Sequence, residues 1–123
     1  MLLDTHVMIW AAHNDPRLSP EARRIIAGAD AVFVSSASLA EASIKIGIGK
    51  LVFDLAGFVA AAPAMRYREL PITWAHAAAL GRLPAIHKDP FDRILIAQAF
   101  SDDLILLTAD GVLPAYGSRI ILV

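Results

Sequence analysis

The sequence contains no cysteine, which excludes disulfide bonds and zinc sites built on thiolates. Charged residues make up only 19% of the 123 residues while hydrophobic residues make up 57%, so a disordered chain is excluded. The chain also lacks a run of about 20 apolar residues, the length that crosses a bilayer. Its longest uncharged apolar stretch covers 55–65 and is interrupted by Pro63. The first residues contain no basic segment followed by a long apolar one, so we expect no signal peptide and a cytoplasmic protein without a membrane anchor.

The chain has no excess of basic charge. It carries 11 lysine and arginine residues against 12 aspartate and glutamate residues, which gives a formal net charge of −1. Proteins that bind nucleic acids through general electrostatic attraction normally carry a basic surface. As a total, the charge therefore argues against a nucleic-acid-binding protein.

Four short apolar runs lie along the chain, at 1–3, 31–34, 104–107 and 120–123. Each is apolar at consecutive positions, as in strands that are covered on both faces within a parallel sheet. Helical segments separate the runs, and Ser19, Asp54, Thr73 and Asp89 are placed to cap four of these helices. We predict one α/β domain over 1–123, with a mainly parallel sheet of four or five strands. The fifth would be a short edge strand at 70–72.

Four carboxylates are predicted to meet at one edge of this sheet. Asp4 and Asp110 follow two of the strands, whereas Glu41 and Asp92 lie in the first turns of two helices. Ligands bind outside the carboxyl ends of parallel strands, and all four positions face that edge. Carboxylates that converge repel one another unless they take up protons or bind a cation, and oxygen ligands suit Mg²⁺ or Mn²⁺. The pattern predicts metal-assisted hydrolysis of a phosphodiester bond.

Most of these carboxylates also have a structural explanation. Ser38 and Glu41 have the spacing of a capping box at the start of a helix. Asp92 interacts favourably with the dipole of its own helix, and Asp110 precedes a glycine at a turn. Asp4 has no such alternative in the local sequence, because nothing near it is suited to pair with it.

Four basic residues flank two of these carboxylates in the sequence and are candidates for contacts to phosphate groups. They are Lys45, Lys50, Lys88 and Arg93. If the four carboxylates are assigned to one pocket, basic residues outnumber acidic residues on the rest of the chain. The near-neutral total is then compatible with an acidic pocket on a mildly basic surface.

The aromatic and histidine residues give weaker signals. The four histidines lack the spacing of metal ligands, so no role is predicted for them. Trp10 and Trp74 are predicted to lie in the core.

Four motifs follow one another along the chain between positions 2 and 110. They are LLDTH at 2–6, DPRLS at 15–19, HKDPFDRILIAQA at 87–99 and LTAD at 107–110. Together they resemble the PIN domain family and, within it, the VapC-like toxin ribonucleases of toxin–antitoxin pairs. The resemblance implies a three-layer α/β/α domain and an endoribonuclease that depends on Mg²⁺ or Mn²⁺. Its catalytic and metal-binding residues would be Asp4, Glu41, Asp92 and Asp110.

The resemblance has further implications. Asp89, Thr5 and Thr108 would lie beside the catalytic carboxylates and support them. An antitoxin protein would block the site, and the chain would form a homodimer or a toxin–antitoxin hetero-oligomer.

Single residues near Asp4 disfavour two other classes of protein that have an acidic site after the first strand. A receiver domain needs a second acidic residue directly after Asp4, where the chain has Thr5, and a haloacid-dehalogenase phosphatase needs an aspartate where it has His6. A second alternative is a phosphate-binding or interaction domain that keeps the fold without catalysis. Nothing in the sequence supports that loss, because all four carboxylates are present.

Overall fold

The computed structural model describes residues 1–123 and contains five strands and six α-helices. The strands are β1 (Leu2–Leu3), β2 (Val32–Ser35), β3 (Tyr67–Leu70), β4 (Leu106–Thr108) and β5 (Ile120–Leu122). The helices are α1 (Thr5–Ala12), α2 (Pro20–Gly28), α3 (Ser36–Gly47), α4 (Leu55–Ala61), α5 (Trp74–Leu80) and α6 (Pro90–Ser101). A short 3₁₀ helix covers Leu113–Tyr116. None of the helices is both long enough and apolar enough to cross a bilayer.

All five strands are parallel and lie in the order β3-β2-β1-β4-β5. The predicted α/β class and parallel sheet are therefore confirmed. The predicted edge strand at 70–72 is displaced toward the N-terminus, since β3 ends at Leu70. Pro71 explains this end, because a proline has no backbone N–H to donate to a neighbouring strand.

Apolar side chains fill a core on each face of the sheet. Successive side chains point to opposite faces of a strand, so Leu3 and Leu107 enter one core and Leu2 and Leu106 the other. The first core is covered by α1, α2 and α4, and the second by α6 and the 3₁₀ helix. The fold therefore has the three layers that the continuous apolar runs predict.

Side chains at the helix N-termini confirm the predicted caps. Ser19, Asp54, Thr73 and Asp89 each accept a hydrogen bond from a backbone N–H in the first turn of α2, α4, α5 and α6.

The start of α3 differs from the prediction. Its N-cap is Ser35, whose hydroxyl accepts a hydrogen bond from Ala37 N, so Ser38 lies within the helix rather than at its cap. Glu41 is consequently in the second turn, out of reach of the N-cap amide. The capping-box explanation of Glu41 is therefore wrong.

The two tryptophans occupy different environments. Trp10, in the second half of α1, is half-buried and packs against the core, in agreement with the prediction. The prediction for Trp74 is wrong, because its side chain is 94% exposed at the first position of α5. The buried positions of this helix are His76 and Ala79, and Trp74 points away from the face that they share.

Candidate active site

Asp4 lies at the carboxyl end of β1 and is only 3% exposed. Its Oδ1 atom accepts a hydrogen bond from Val7 N at 2.8 Å, and Oδ2 accepts hydrogen bonds from Thr108 Oγ1 and from Ala109 N. Burial raises the pKa of Asp4, although these hydrogen bonds favour the charged form. Asp4 is also the N-cap of α1, so the expectation that it has no structural role within the local sequence is wrong.

Glu41 projects from α3 and is 5% exposed. Its Oε2 atom lies 2.6 Å from Lys45 Nζ, one turn further along the helix. Its Oε1 atom is buried and has no hydrogen-bond partner. A buried carboxylate oxygen without a partner is costly, so this atom is suited to meet a ligand that the protein itself does not supply.

Asp92 lies in the first turn of α6, two residues inside the helix that begins at Pro90. Its pKa is raised to about 6, first by burial and then by the negative charges of Asp89, Asp4 and Glu41, while His87 opposes the change. Asp92 therefore lies in the electrostatic field of two other predicted site carboxylates. Asp89 itself caps α6 by accepting hydrogen bonds from Phe91 N and Asp92 N.

His87 bridges two of the carboxylates. Its Nε2 atom lies 3.0 Å from Asp92 Oδ2 and 3.2 Å from Asp110 Oδ2. Sequence spacing did not identify this residue, because it sits in a loop and its partners come from α6 and from the turn after β4. The one signal in the sequence was its position within the motif at 87–99.

Thr108 connects the two aspartates that follow β1 and β4. Its Oγ1 atom donates to Asp4 Oδ2 and accepts a hydrogen bond from Asp110 N at 3.0 Å. Asp110 also forms the predicted turn, where its Oδ1 accepts a hydrogen bond from Val112 N. Hydrogen bonds thus link Asp4, Thr108 and Asp110, and the 3.2 Å contact between Asp110 and His87 connects them to the hydrogen-bonded pair of His87 and Asp92. The other predicted supporting residue, Thr5, is buried and donates to Ser38 Oγ at 3.0 Å, between α1 and α3.

The four basic candidates fall into two groups. Lys45 is paired with Glu41, and the Arg93 guanidinium donates to Pro84 O at 3.0 Å and approaches His87 O at 3.4 Å. Lys50 and Lys88 are exposed, and their ammonium groups make no hydrogen bond or ion pair within the chain. These two are placed to interact with groups outside the protein.

The donor set fits a hard divalent cation. Asp4, Glu41, Asp92 and Asp110 supply carboxylate oxygens from four separate elements, and Lys45 and His87 are the basic side chains in contact with them. Glu41 Oε1 has no partner, and the pKa of Asp92 is raised first by burial and then by nearby negative charges, so a cation would be favourable beside both groups. Mg²⁺ and Mn²⁺ prefer oxygen ligands of this kind.

Comparison with solved structures shows a shared fold. VapBC2 from Rickettsia felis, solved bound to a DNA fragment from its promoter, matches with a TM-score of 0.69 and 16% identity, over 98% of this chain and 95% of that one. A toxin–antitoxin complex from Klebsiella pneumoniae matches with a TM-score of 0.69 and 17% identity, over 98% of this chain and 94% of that one. FitAcB from Neisseria gonorrhoeae matches with a TM-score of 0.67 and 20% identity, over 98% of this chain and 95% of that one. No curated protein sequence matches the chain.

The PIN domain profile matches residues 1–118, nearly the whole chain. The five-stranded parallel sheet with helices on its two faces agrees with that match. The chain therefore belongs to the PIN domain family.

Proposed function

We propose that the chain is a metal-dependent endoribonuclease and the toxin of a toxin–antitoxin pair. The observation that carries the proposal is the negative charge of Asp4 and Glu41 around the buried Asp92, which also lies close to Asp110, with Glu41 Oε1 buried and unpartnered. Family membership supports it, because PIN domains are generally metal-dependent nucleases. In this proposal residues 1–123 act as one domain.

Asp4, Asp92, Asp110 and Glu41 would hold one or two Mg²⁺ or Mn²⁺ ions. When bound, such an ion activates water and stabilises the charge that develops on a phosphoryl oxygen. Asp4 is held in one orientation by its three hydrogen bonds. Glu41, whose free oxygen faces no protein donor, would orient or deprotonate the attacking water.

Two exposed lysines would bind the RNA backbone. Lys50 and Lys88 have ammonium groups free of intramolecular partners, so they can pair with phosphates without breaking an existing contact. Lys45 and Arg93 are held by contacts within the chain. In this proposal they act on Glu41 and on the loop before α6, respectively, rather than on RNA directly.

An antitoxin is the proposed protein partner. A toxin–antitoxin complex is among the structures that share the fold, and the chain exposes large apolar side chains, including Ile44, Ile48, Val52 and Trp74. We expect the isolated chain to self-associate and its complex with an antitoxin to be well behaved. A stable, monodisperse monomer at high concentration would argue against this partner. The cytoplasmic location, and assembly as a homodimer or hetero-oligomer, stay predictions of the same proposal.

RNA cleavage tests the catalytic role. Structured and single-stranded RNAs are incubated with the wild-type chain in Mg²⁺, with the wild-type chain in EDTA, and with Asp4→Asn in Mg²⁺. Asparagine caps helices as well as aspartate does, so Asp4→Asn keeps the cap of α1 and removes the charge. Asp54→Asn makes the same change at the exposed cap of α4 and serves as the matched control.

We expect cleavage by the wild type and by Asp54→Asn in Mg²⁺, and none in EDTA or by Asp4→Asn. Equal cleavage under all conditions would refute the metal-carboxylate mechanism. A wild-type chain that shows no heat of Mn²⁺ binding in calorimetry would favour the alternative, a PIN-fold interaction domain without catalysis.

A further inference from the structure

The loop between α5 and α6 is fixed on both sides of His87. His87 N donates a hydrogen bond to the Tyr116 hydroxyl at 2.8 Å. Arg93 Nη1 donates to Pro84 O at 3.0 Å and lies 3.4 Å from both His87 O and the Tyr116 hydroxyl. Because α6 and the 3₁₀ helix supply these partners, the backbone of His87 is held by regular structure although it lies in a loop.

The imidazole of His87 is fixed as well. Lys88 N donates a hydrogen bond to His87 Nδ1 at 3.1 Å, so Nδ1 is an acceptor and, in the neutral ring, the hydrogen is on Nε2. Nε2 in turn lies 3.0 Å from Asp92 Oδ2 and 3.2 Å from Asp110 Oδ2. The Nε2–H group thus donates to Asp92 and lies beside a carboxylate oxygen of Asp110, which comes from a different element.

We propose that His87 is a positioning residue of the metal site: its Nε2–H donates to Asp92 and, at 3.2 Å from Asp110 Oδ2, keeps the two carboxylates side by side. Without this donor, the two negative charges would repel and the half-exposed Asp110 would turn toward solvent. A residue that orients ligands in advance typically strengthens metal binding by 10- to 100-fold. This inference rests on the proposed function, because it concerns how the ligands of the same metal site are oriented.

The same hydrogen bonds argue against direct ligation by His87. A ring nitrogen that carries a hydrogen has no free lone pair for a metal. To ligate through Nε2, the ring would have to move its hydrogen to Nδ1, where it would face the N–H of Lys88 and lose that hydrogen bond. The structure therefore places His87 beside the ligands and not among them.

Calorimetric titration with MnCl₂ tests the proposal on four forms of the full chain: wild type, His87→Ala, His87→Gln and His13→Ala. We expect His87→Ala to weaken Mn²⁺ binding by about tenfold or more. His87→Gln should recover most of the affinity, because its amide N–H₂ reaches a position similar to that of Nε2. His13→Ala removes an exposed histidine that contacts Phe53 and should bind as the wild type does.

Two spectroscopic measurements do not depend on activity. Nitrogen NMR of the metal-free chain should show His87 with hydrogen on Nε2 and none on Nδ1. Electron spin-echo spectra of bound Mn²⁺ should show no strongly coupled imidazole nitrogen. The opposite tautomer, or a coupled nitrogen that His87→Ala abolishes, would overturn the positioning role.

The outcomes separate this inference from the proposed function. If the wild type binds Mn²⁺ and His87→Ala binds it equally well or more tightly, only the role of His87 is overturned. If His87→Gln loses as much affinity as His87→Ala, an N–H donor between the two carboxylates is not what matters, and the role is again overturned. If the wild type itself binds no Mn²⁺, the proposed metal site fails, and the role of His87 fails with it.

Discussion

Replacing Asp92 by asparagine should stabilise the metal-free protein at neutral pH. The carboxyl has a usual pKa of 3.8 and a pKa of about 6 in the folded chain, because burial and the charges of Asp89, Asp4 and Glu41 oppose its ionisation. The folded state therefore binds this proton more tightly than the unfolded state does. As the pH rises from about 4 to above 6, the free energy of unfolding falls by the cost of ionising Asp92 in place.

The size of this cost follows from the pKa. At about 1.4 kcal/mol for each tenfold change in an ionisation constant, a pKa raised from 3.8 to about 6 corresponds to roughly 3 kcal/mol. Asparagine keeps the shape and an acceptor for His87 but loses the favourable interaction of a charge with the dipole of α6, worth about 0.3–1 kcal/mol. We therefore expect Asp92→Asn to raise the free energy of unfolding by about 2–3 kcal/mol at pH 7.5, which corresponds to a melting temperature roughly 8–12 °C higher. The gain should be about half as large near pH 5 and small near pH 4.

Thermal and urea unfolding in EDTA, followed by circular dichroism at pH 7.5, 5 and 4, measures the effect. Asp30→Asn is the control, since Asp30 is exposed and makes no hydrogen bond or ion pair. A gain below about 0.5 kcal/mol at pH 7.5, or a gain that does not change with pH, would show that the charge of Asp92 is not the cause.

Excess Mn²⁺ should reverse the order of stabilities of the wild type and Asp92→Asn. A ligand at 1,000 times its dissociation constant stabilises the folded wild type by about 4.1 kcal/mol, which exceeds the advantage of about 2–3 kcal/mol expected for Asp92→Asn in EDTA. Asp92→Asn lacks one of the proposed charged ligands and should gain much less. An equal gain in both chains would place the binding site away from Asp92.

Two further substitutions test the contacts around the site. Lys45→Met leaves the buried Glu41 carboxylate without its cation and should lower the free energy of unfolding in EDTA by about 2 kcal/mol. Adding Glu41→Gln should restore most of this loss. Urea unfolding of the double-mutant cycle measures the effect, and strictly additive changes would contradict the pairing. Thr108→Val removes the hydroxyl that connects Asp4 with the Asp110 amide. It should lower the free energy of unfolding by about 1–3 kcal/mol and weaken Mn²⁺ binding. Unchanged unfolding together with unchanged Mn²⁺ calorimetry would show that this connection contributes little.

Much of the fold was predictable because its signals are local or follow from burial. A strand that is apolar at every position can be stable only between two covering layers, so the runs near Leu2 and Leu106 already implied a parallel sheet. Caps such as Ser19 and Asp54 satisfy amides within three residues, so their partners are visible in the sequence.

Other features depended on contacts that no local rule describes. The first turn of α3 has serines at several adjacent positions, and only the path of the chain out of β2 selects Ser35 as the cap. Trp74 is apolar, yet the inner face of α5 is filled by His76 and Ala79, which leaves the indole in solvent.

The sequence by itself determined that Asp4 and Asp110 follow strands of a parallel sheet, and it predicted that Glu41 and Asp92, from the helices, would face the same edge. Only the tertiary structure decided how they are held. Thr108 meets Asp4 across 104 positions of the chain, and His87 joins Asp92 to Asp110 from a loop. Such hydrogen bonds depend on distances of about 3 Å between atoms from separate elements, and spacing along the chain carries no information at that scale.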